Sequence, residues 1–187
     1  MAEENKYPLD YERRFGGVAK LYTKAGAERL KNAHVCVVGL GGVGSWAAEA
    51  LARTAVGRIT LVDLDNVAES NTNRQLQAMT GVYGKPKVDA TAERIHAINP
   101  LCDCRKIEDF IEVETADSLL PEDAIILDCI DTVKVKAAMA AVCKKRKQYI
   151  VACGAAGGKT SAMNIIHEDL ARTTGDPLLS RMRYDLR

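Results

Sequence analysis

A glycine-rich turn at residues 39–45 (Gly-Leu-Gly-Gly-Val-Gly-Ser) constrains the fold of this chain most strongly. It follows the apolar run 34–38 and precedes a helix-forming run at 46–51. Gly39, Gly41 and Gly44 have the G-x-G-x-x-G spacing of a dinucleotide-binding βαβ unit. Such a turn points backbone N–H groups and a helix N-terminus toward one place, where a phosphate binds. The segment predicts a strand, a nucleotide-binding turn and a helix. A glycine-tightened βα turn without a ligand is the alternative.

Strand-like and helix-like segments alternate along the whole chain. We expect strands at 34–38, 58–63, 102–107, 124–128 and 149–153, and helices ending near 53 and spanning 86–98 and 133–147. The strands at 58–63, 124–128 and 149–153 are continuous apolar runs, which is typical of strands covered on both faces. The fold class is therefore α/β, a Rossmann-like, doubly wound and mostly parallel sheet with helices on both faces.

Three other segments carry weaker predictions. Residues 11–30 favour two short helices separated by Gly16, Gly17 and Gly26. Residues 161–167 favour one more strand, and the pair Asp176-Pro177 favours the start of a helix.

Size and composition allow one domain, 1–187, with a full apolar core. Of the 187 residues, 47% are apolar and 27% are charged, and the net charge of +1 indicates no global field for nucleic acid or membrane. No apolar run is long enough to span a bilayer, and residues 1–6 lack the pattern of a secretion signal. We expect a cytoplasmic protein with no membrane segment in this chain.

The six cysteines give little support for a zinc site. No C-x-x-C pair occurs, and Cys36, Cys129 and Cys153 lie in apolar strand-like runs, where a thiol acts as a small hydrophobe. The C-x-C pair Cys102 and Cys104 fits a strand better than a metal or redox site. We therefore expect no zinc.

Polar residues after the predicted strands indicate which nucleotide binds. Asp63 ends the second strand, where an acid takes the ribose hydroxyls of either NAD or ATP; a turn cap is the alternative. Arg74, Lys87 and Asp131 supply the cations and the magnesium-binding acid that chemistry on a triphosphate needs. A surface ion pair for Arg74 and a solvated helix face for Lys87 are the competing interpretations. A hydride-transfer site has little use for these charges, which disfavours an NAD-dependent dehydrogenase. That enzyme class is the further alternative.

These motifs together resemble the ThiF/MoeB family, the adenylating domain of ubiquitin-activating enzymes. The resemblance covers residue 11 to the C-terminus and rests on segments 39–45, 63–65, 71–75, 84–87 and 128–131. It implies that ATP activates a carboxylate as an acyl-adenylate, with Mg²⁺ and loss of pyrophosphate. It also implies a homodimer in which an N-terminal arginine, Arg14 in preference to Arg13, reaches the other subunit's site.

The same resemblance assigns the site residues. Catalytic roles fall to Arg14, Arg74, Lys87 and Asp131, and Asp131 is the magnesium ligand. Nucleotide-binding roles fall to Gly39, Gly41, Gly42, Gly44, Asp63, Asp65, Asn71, Asn73, Arg74, Gln75 and Lys87.

Segments 14–17, 45–54 and 71–75 are similar to one branch of the family, the tRNA threonylcarbamoyladenosine dehydratases. This branch implies a tRNA substrate whose threonylcarbamoyl-adenosine closes into a cyclic form with net loss of water. Residues 144–147 (Lys-Lys-Arg-Lys) are the best basic RNA-binding candidate, although such a cluster also suits a helix C-terminus.

Relatives in this branch extend beyond residue 187, so we expect the chain to lack the family's C-terminal extension. Adenylation of a ubiquitin-like sulfur carrier is the alternative within the family, and sulfur-transfer proteins are possible partners.

Overall fold

The structure, a computed structural model, describes residues 9–187. Residues 1–8, including the segment expected to lack a secretion signal, lie outside the described part. The elements in chain order are α1 (Tyr11–Asn32), β1 (His34–Val38), α2 (Gly44–Arg53), β2 (Arg58–Val62), α3 (Lys87–Ile98), β3 (Asp103–Ile107), α4 (Ala116–Leu119), β4 (Ile125–Asp128), α5 (Val133–Arg146), β5 (Ile150–Ala152) and α6 (Pro177–Asp185).

All five strands form one parallel sheet in the order β3-β2-β1-β4-β5. The chain moves outward from β1 through β2 to β3, then returns to the other side of β1 with β4. The direction of winding thus reverses between β1 and β4, and ligands of such sheets bind beyond the carboxyl ends of the strands at this reversal.

The two faces of the sheet have separate cores. Alternate residues of β1 and β2 pack toward α2 and α3, with Val35, Val37, Ile59 and Leu61 buried on that side. The opposite face buries Cys36, Val38 and Ile126 against Met139 and Cys143 of α5 and against Ala116 of α4. Helices therefore cover both faces, and the predicted fold class is confirmed.

The structure differs from the sequence-based prediction in three short segments. The break in α1 falls at Thr23 (φ 67°, ψ 165°), whereas the three glycines expected to interrupt it lie in helical turns. A glycine costs a helix only about 1 kcal/mol relative to alanine, which packing offsets. The strand expected at 161–167 is wrong: a 3₁₀ turn (Ala162–Asn164) lies in an exposed segment. The four-residue helix α4 was missed because it is too short to show a period.

Helix α6 begins where the sequence predicts a helix start. Asp176 caps α6, its side chain accepting a hydrogen bond from Leu179 N (2.9 Å), with Pro177 in the first turn as predicted. None of the helices within residues 9–187 combines the length and apolar character that crossing a bilayer requires.

Candidate nucleotide-binding site

The glycine turn lies where β1 meets α2, at the reversal of the winding. A Cβ on Gly44 would lie 1.8 Å from the carbonyl oxygen of Gly39, so no other residue fits there without moving the backbone. Gly39 has a φ of +87°, which L side chains rarely adopt. The last glycine therefore lets α2 start against the turn itself and against β4, whose following residue Cys129 is 3.2 Å from the same Cβ position.

The middle of the turn is open and carries free donors. A Cβ on Gly41 would meet no atom within 4 Å. Among the described residues, the N–H groups of Gly41, Gly42 and Val43 donate to no backbone or side-chain acceptor, whereas Ser45 N donates back to Gly41 O (3.1 Å). Three adjacent free N–H groups before a helix of 10 residues form an anion-binding arrangement.

Asp63 joins this turn to the end of β2. Its side chain is buried; Oδ2 accepts from Leu40 N (2.7 Å) and Oδ1 accepts from Asp65 N (2.9 Å). Oδ1 therefore caps a turn, as the turn-cap interpretation predicts, while Oδ2 holds the glycine turn in place. Together the two bonds place the acid beside the backbone donors.

Lys87 is buried beside Asp63 rather than exposed to solvent. Only 6% of the residue is exposed, and Nζ is 2.7 Å from Asp65 Oδ2 and 3.8 Å from Asp63 Oδ1. A buried ammonium needs such partners because leaving an ion unpaired away from water is costly. The solvated-face interpretation of Lys87 is thus excluded.

The loop between β2 and α3 lies against the glycine turn. Arg74 covers it, since a Cβ on Gly42 would contact the Arg74 side chain at 3.4 Å, and the Arg74 guanidinium donates to Ser70 O (3.0 Å) and Asn73 Oδ1 (2.9 Å). Arg74 makes no ion pair with any residue in the range 9–187, contrary to the surface ion-pair interpretation. Exposed and cationic, it remains available to a ligand.

Three buried amides hold the same loop in shape. Asn71 Oδ1 accepts from Ala68 N (3.0 Å), and Gln75 Oε1 is 3.4 Å from Gln77 Nε2. Gln77 also donates to Leu40 O (2.9 Å) in the glycine turn. Sequence reasoning missed Gln77 because nothing local distinguishes it from a surface glutamine.

The end of β4 combines an exposed acid with a buried ion pair. Asp131 is exposed, while Asp128 and Lys136 are completely buried with Oδ2 and Nζ 2.9 Å apart. Asp128 Oδ2 accepts no hydrogen bond from the described residues, so its contact with the ammonium is an ion pair. Burial raises the pKa of Asp128, and Lys136 opposes that rise. No local pattern marks Lys136, which lies in an ordinary-looking helix.

A second glycine-rich loop, at 154–159, follows β5 and is held by Asp176. This carboxylate accepts from Ala155 N (3.0 Å) and pairs with Lys159, and a Cβ on Gly154 would lie 2.5 Å from its Oδ2. Burial alone would raise the pKa of Asp176, but hydrogen bonds from Lys159 and Leu179 N outweigh it and lower the pKa. Lys159 and Asp176 thus fasten this loop to α6.

The N-terminal arginines lie away from this site in the same chain. Arg14 Nη1 donates to Ile98 O (3.0 Å), at the end of α3 opposite to Lys87. Arg13 is exposed, and its backbone N–H caps onto Asp10 Oδ1 (3.0 Å).

The basic cluster at the end of α5 has partly structural partners. Arg146 donates to Leu120 O (2.9 Å) and pairs with Asp117. Lys144, Lys145 and Lys147 are the exposed or partly exposed cations of the cluster.

The sequence matches the ThiF family over residues 11–176, which includes every strand and the whole site. The chain belongs to the ThiF family. It is 46% identical to the tRNA threonylcarbamoyladenosine dehydratase of Haemophilus influenzae, covering 95% of this chain and 69% of that protein. It is also 37% identical to the molybdopterin-synthase adenylyltransferase of Salmonella typhimurium, over 67% of this chain and 51% of that protein.

The fold of this ThiF-family protein has a solved counterpart with nucleotide bound. The crystal structure of the Escherichia coli tRNA N6-threonylcarbamoyladenosine dehydratase in complex with ATP has a TM-score of 0.89 and 44% identity, over 94% of this chain and 73% of that one. This chain spans about two thirds of the length of the dehydratases that it matches.

Proposed function

We propose that this ThiF-family protein uses ATP to adenylate a carboxylate, and that the carboxylate belongs to threonylcarbamoyl-adenosine in tRNA. One observation carries the adenylation part: free N–H groups, an acid fixed beside them and an unpaired arginine meet at the reversal of a sheet similar to that of an ATP-bound relative. The identity of the substrate rests on the names of the relatives that are 43–46% identical.

In this proposal the residues divide the nucleotide between them. The turn Gly39–Gly44 lies along the phosphates, with Gly41 and Gly42 nearest, and Asp63 accepts hydrogen bonds from the ribose. Arg74 and Lys87 face the phosphates, and Asn71, Asn73, Gln75 and Asp65 shape the loop around them. A substrate carboxylate oxygen attacks the α-phosphorus, the bond to the bridging oxygen breaks, and pyrophosphate leaves.

The second half of the reaction follows from the acyl-adenylate. A nucleophilic atom of the same threonylcarbamoyl group attacks the activated carbonyl carbon and expels AMP. This attack closes the ring, the attacking atom loses its proton, and the nucleoside has lost one water in net. Arg74 makes no ion pair within the described residues, so its positive charge is available to a ligand. In this proposal it stabilises negative charge on the phosphates.

The exposure of Asp131 and its lack of partners among the described residues are what a magnesium ligand requires. Among residues 9–187 its carboxylate accepts no hydrogen bond and joins no ion pair, and no cluster of three metal-binding side chains occurs. Magnesium is commonly held by one or two carboxylates plus phosphates, so a single acid suffices. When bound, Mg²⁺ supplies positive charge to the leaving pyrophosphate.

A homodimer would explain the position of Arg14. Helix α3 has 12 residues and is about 18 Å long. Arg14 lies at its far end from Lys87, so in its own chain it is remote from the phosphates. We propose that Arg14 acts at the partner subunit's site, with Arg13 as the alternative.

Adenylation of a sulfur-carrier protein is the second candidate, favoured by the 37% identity to a molybdopterin-synthase adenylyltransferase. The tRNA substrate favours a cytoplasmic protein and gives the exposed lysines of the 144–147 cluster a role in phosphate contact. Sulfur-transfer partners belong to the second candidate.

The test incubates the protein with ATP, Mg²⁺ and tRNA bearing threonylcarbamoyl-adenosine, then weighs the nucleoside and measures AMP. We expect a nucleoside lighter by one water and AMP in equal amount. Unmodified tRNA is the control and should give no AMP. AMP formed only with a sulfur-carrier protein would replace the tRNA proposal with the second candidate, and no AMP with either substrate would contradict both.

A further inference from the structure

Two thiols face each other beside the glycine turn. Cys129 and Cys153 directly follow β4 and β5, whose last registered pair is Asp128 and Ala152, and their Sγ atoms are 3.9 Å apart. Neighbouring strands lie about 4.8 Å apart, and a disulfide spans a Cα separation of about 4.4–6.8 Å with an S–S bond of about 2.05 Å. Rotation of the two side chains and a small backbone shift therefore suffice to join them.

These thiols differ from the other four. Cys36, Cys102 and Cys143 are buried, and burial raises the pKa of Cys104, in β3, to about 12. Cys129 and Cys153 are both partly exposed. A hydrogen bond from Cys129, assisted by the positive charge of Lys136, lowers the pKa of Cys153 below the usual range of a thiol. A thiolate is the form that reacts with oxidants.

Cys129 touches the glycine turn. A Cβ added at Gly39 would lie 3.3 Å from the carbonyl carbon of Cys129. One added at Gly44 would lie 3.2 Å from the Cys129 Cβ. Cys153 precedes Gly154, whose loop is fastened by Asp176. Because close-packed interiors transmit small shifts, drawing the two sulfurs together displaces the turn that carries the free N–H groups.

We propose that Cys129 and Cys153 form an oxidation site, a dithiol that closes to an intramolecular disulfide and lowers the affinity of the turn for nucleotide. With hydrogen peroxide as oxidant, the Cys153 thiolate attacks one peroxide oxygen, giving a sulfenic acid and hydroxide, which takes up a proton to form water. The Cys129 thiol then attacks the sulfenic sulfur, its proton leaves with the hydroxyl as a second water, and two electrons have passed to the peroxide. A thiol reductant reverses the change. The affinity part rests on the proposed function.

The first experiment maps the bond in the full chain. After peroxide treatment and trypsin digestion without reductant, we expect peptides 107–134 and 148–159 joined, lighter by two hydrogen atoms than their sum. Cys129→Ser and Cys153→Ser should abolish the joined peptide, and Cys104→Ser, which changes a partly exposed thiol in β3, should retain it. Oxidation of Cys153 to sulfinic acid without the joined peptide would overturn the proposal, as would no reaction at either thiol.

The second experiment measures ATP affinity through fluorescence of Trp46, the single tryptophan, whose Nε1 donates to Arg74 O (3.0 Å) beside the turn. Oxidation should weaken binding about tenfold or more, equivalent to about 1.4 kcal/mol, and reductant should restore it. Cys129→Ser should bind ATP equally with and without peroxide. A joined peptide with unchanged affinity would overturn the regulatory part. If the reduced protein binds no ATP, the proposed function fails, while the joined peptide and hydrogen exchange at 39–45 still decide whether the disulfide moves the turn.

Discussion

The two ends of the sheet differ in whether their polar groups find partners within the protein. At the amino ends of the strands, His34 is 2.9 Å from Asp123 Oδ1 and 2.8 Å from Thr60 Oγ1, and Arg58 completes the network at 2.7 Å from Asp123 Oδ2. Both ring nitrogens and both carboxylate oxygens therefore have partners. At the carboxyl ends, buried Asp63, Lys87 and Lys136 also have partners, but the layer above them contains N–H groups without acceptors and charges without ion pairs among the described residues.

That open layer consists of the N–H groups of the glycine turn, the Arg74 guanidinium and the Asp131 carboxylate. These groups are exposed or half-buried, and they lie at the carboxyl ends of parallel strands, where such sheets bind their ligands. The comparison teaches that charge alone does not mark a site. The ends differ in whether the available bonds are already used within the chain.

The largest expected effect tests whether the Asp128–Lys136 pair is structural, as the network at the amino ends is. Lys136→Met leaves Asp128 buried without its counter-charge and should lower the free energy of unfolding by about 3–5 kcal/mol. Urea unfolding measures this, with exposed Lys134→Met as the control. Asp128→Leu combined with Lys136→Met should recover most of the loss. An unchanged stability in Lys136→Met would place the pair with the open layer instead.

The next effect concerns the open layer itself. Arg74→Ala and Asp131→Asn should each slow AMP formation by about 10²–10³ while unfolding free energy stays within about 0.5 kcal/mol, because neither side chain supports the core. Arg172→Ala and Asp103→Asn are matched exposed controls. Loss of stability equal to the loss of activity would show that these groups also serve the fold.

A smaller effect separates two glycines of one turn. Gly44→Ala places a methyl group against the Gly39 carbonyl and should cost about 1–3 kcal/mol of stability by overpacking. Gly41→Ala extends into open space, so thermal unfolding should be unchanged while ATP affinity falls about tenfold. Equal Tm values for the two variants would contradict this division.

The smallest effect is a pH dependence at the amino ends. The hydrogen bond from His34, helped by the charge of Arg58, lowers the pKa of Asp123 below its usual value of 3.8. The folded state then binds the proton less readily than the unfolded state, so this stability is present above pH 3.8 and is lost as the pH falls through the lowered pKa.

Asp123→Asn should therefore show a flatter acid limb, by about 0.2–1 kcal/mol, since over half of that carboxylate is exposed and screened. Unfolding measured from pH 6 downward (about pH 2 at the lowest) checks this, and Asp103→Asn should match the unmodified protein.

Sequence reasoning identified the glycine turn, the acid at the end of β2 and five strands because each is a local pattern. An apolar run of five residues and glycines at fixed spacing need no distant partner to be recognised. Asp63, Arg74 and the glycine turn do meet at one edge of the sheet. The roles of the site residues, the single-domain extent and the homodimer stay predictions.

Other features had no local signal. The break of α1 at Thr23, the irregular segment 161–167 and helix α4 depend on packing or are too short to show a period. Lys136 and Lys159 look like ordinary polar residues in the sequence, yet one is completely buried and the other fastens a loop through Asp176.

The sequence by itself determined the class of fold, the order of its five strands and the edge of the sheet where we propose that a nucleotide binds. Parallel strands must end together, so residues that follow them collect without any knowledge of side-chain contacts. The tertiary structure alone decided that Lys87 is buried, that Arg74 makes no ion pair within the described residues, that Asp128 meets Lys136 and that two thiols lie 3.9 Å apart. Each of these depends on distances between residues far apart in the chain, and on burial, which changes what a charge or a thiol can do.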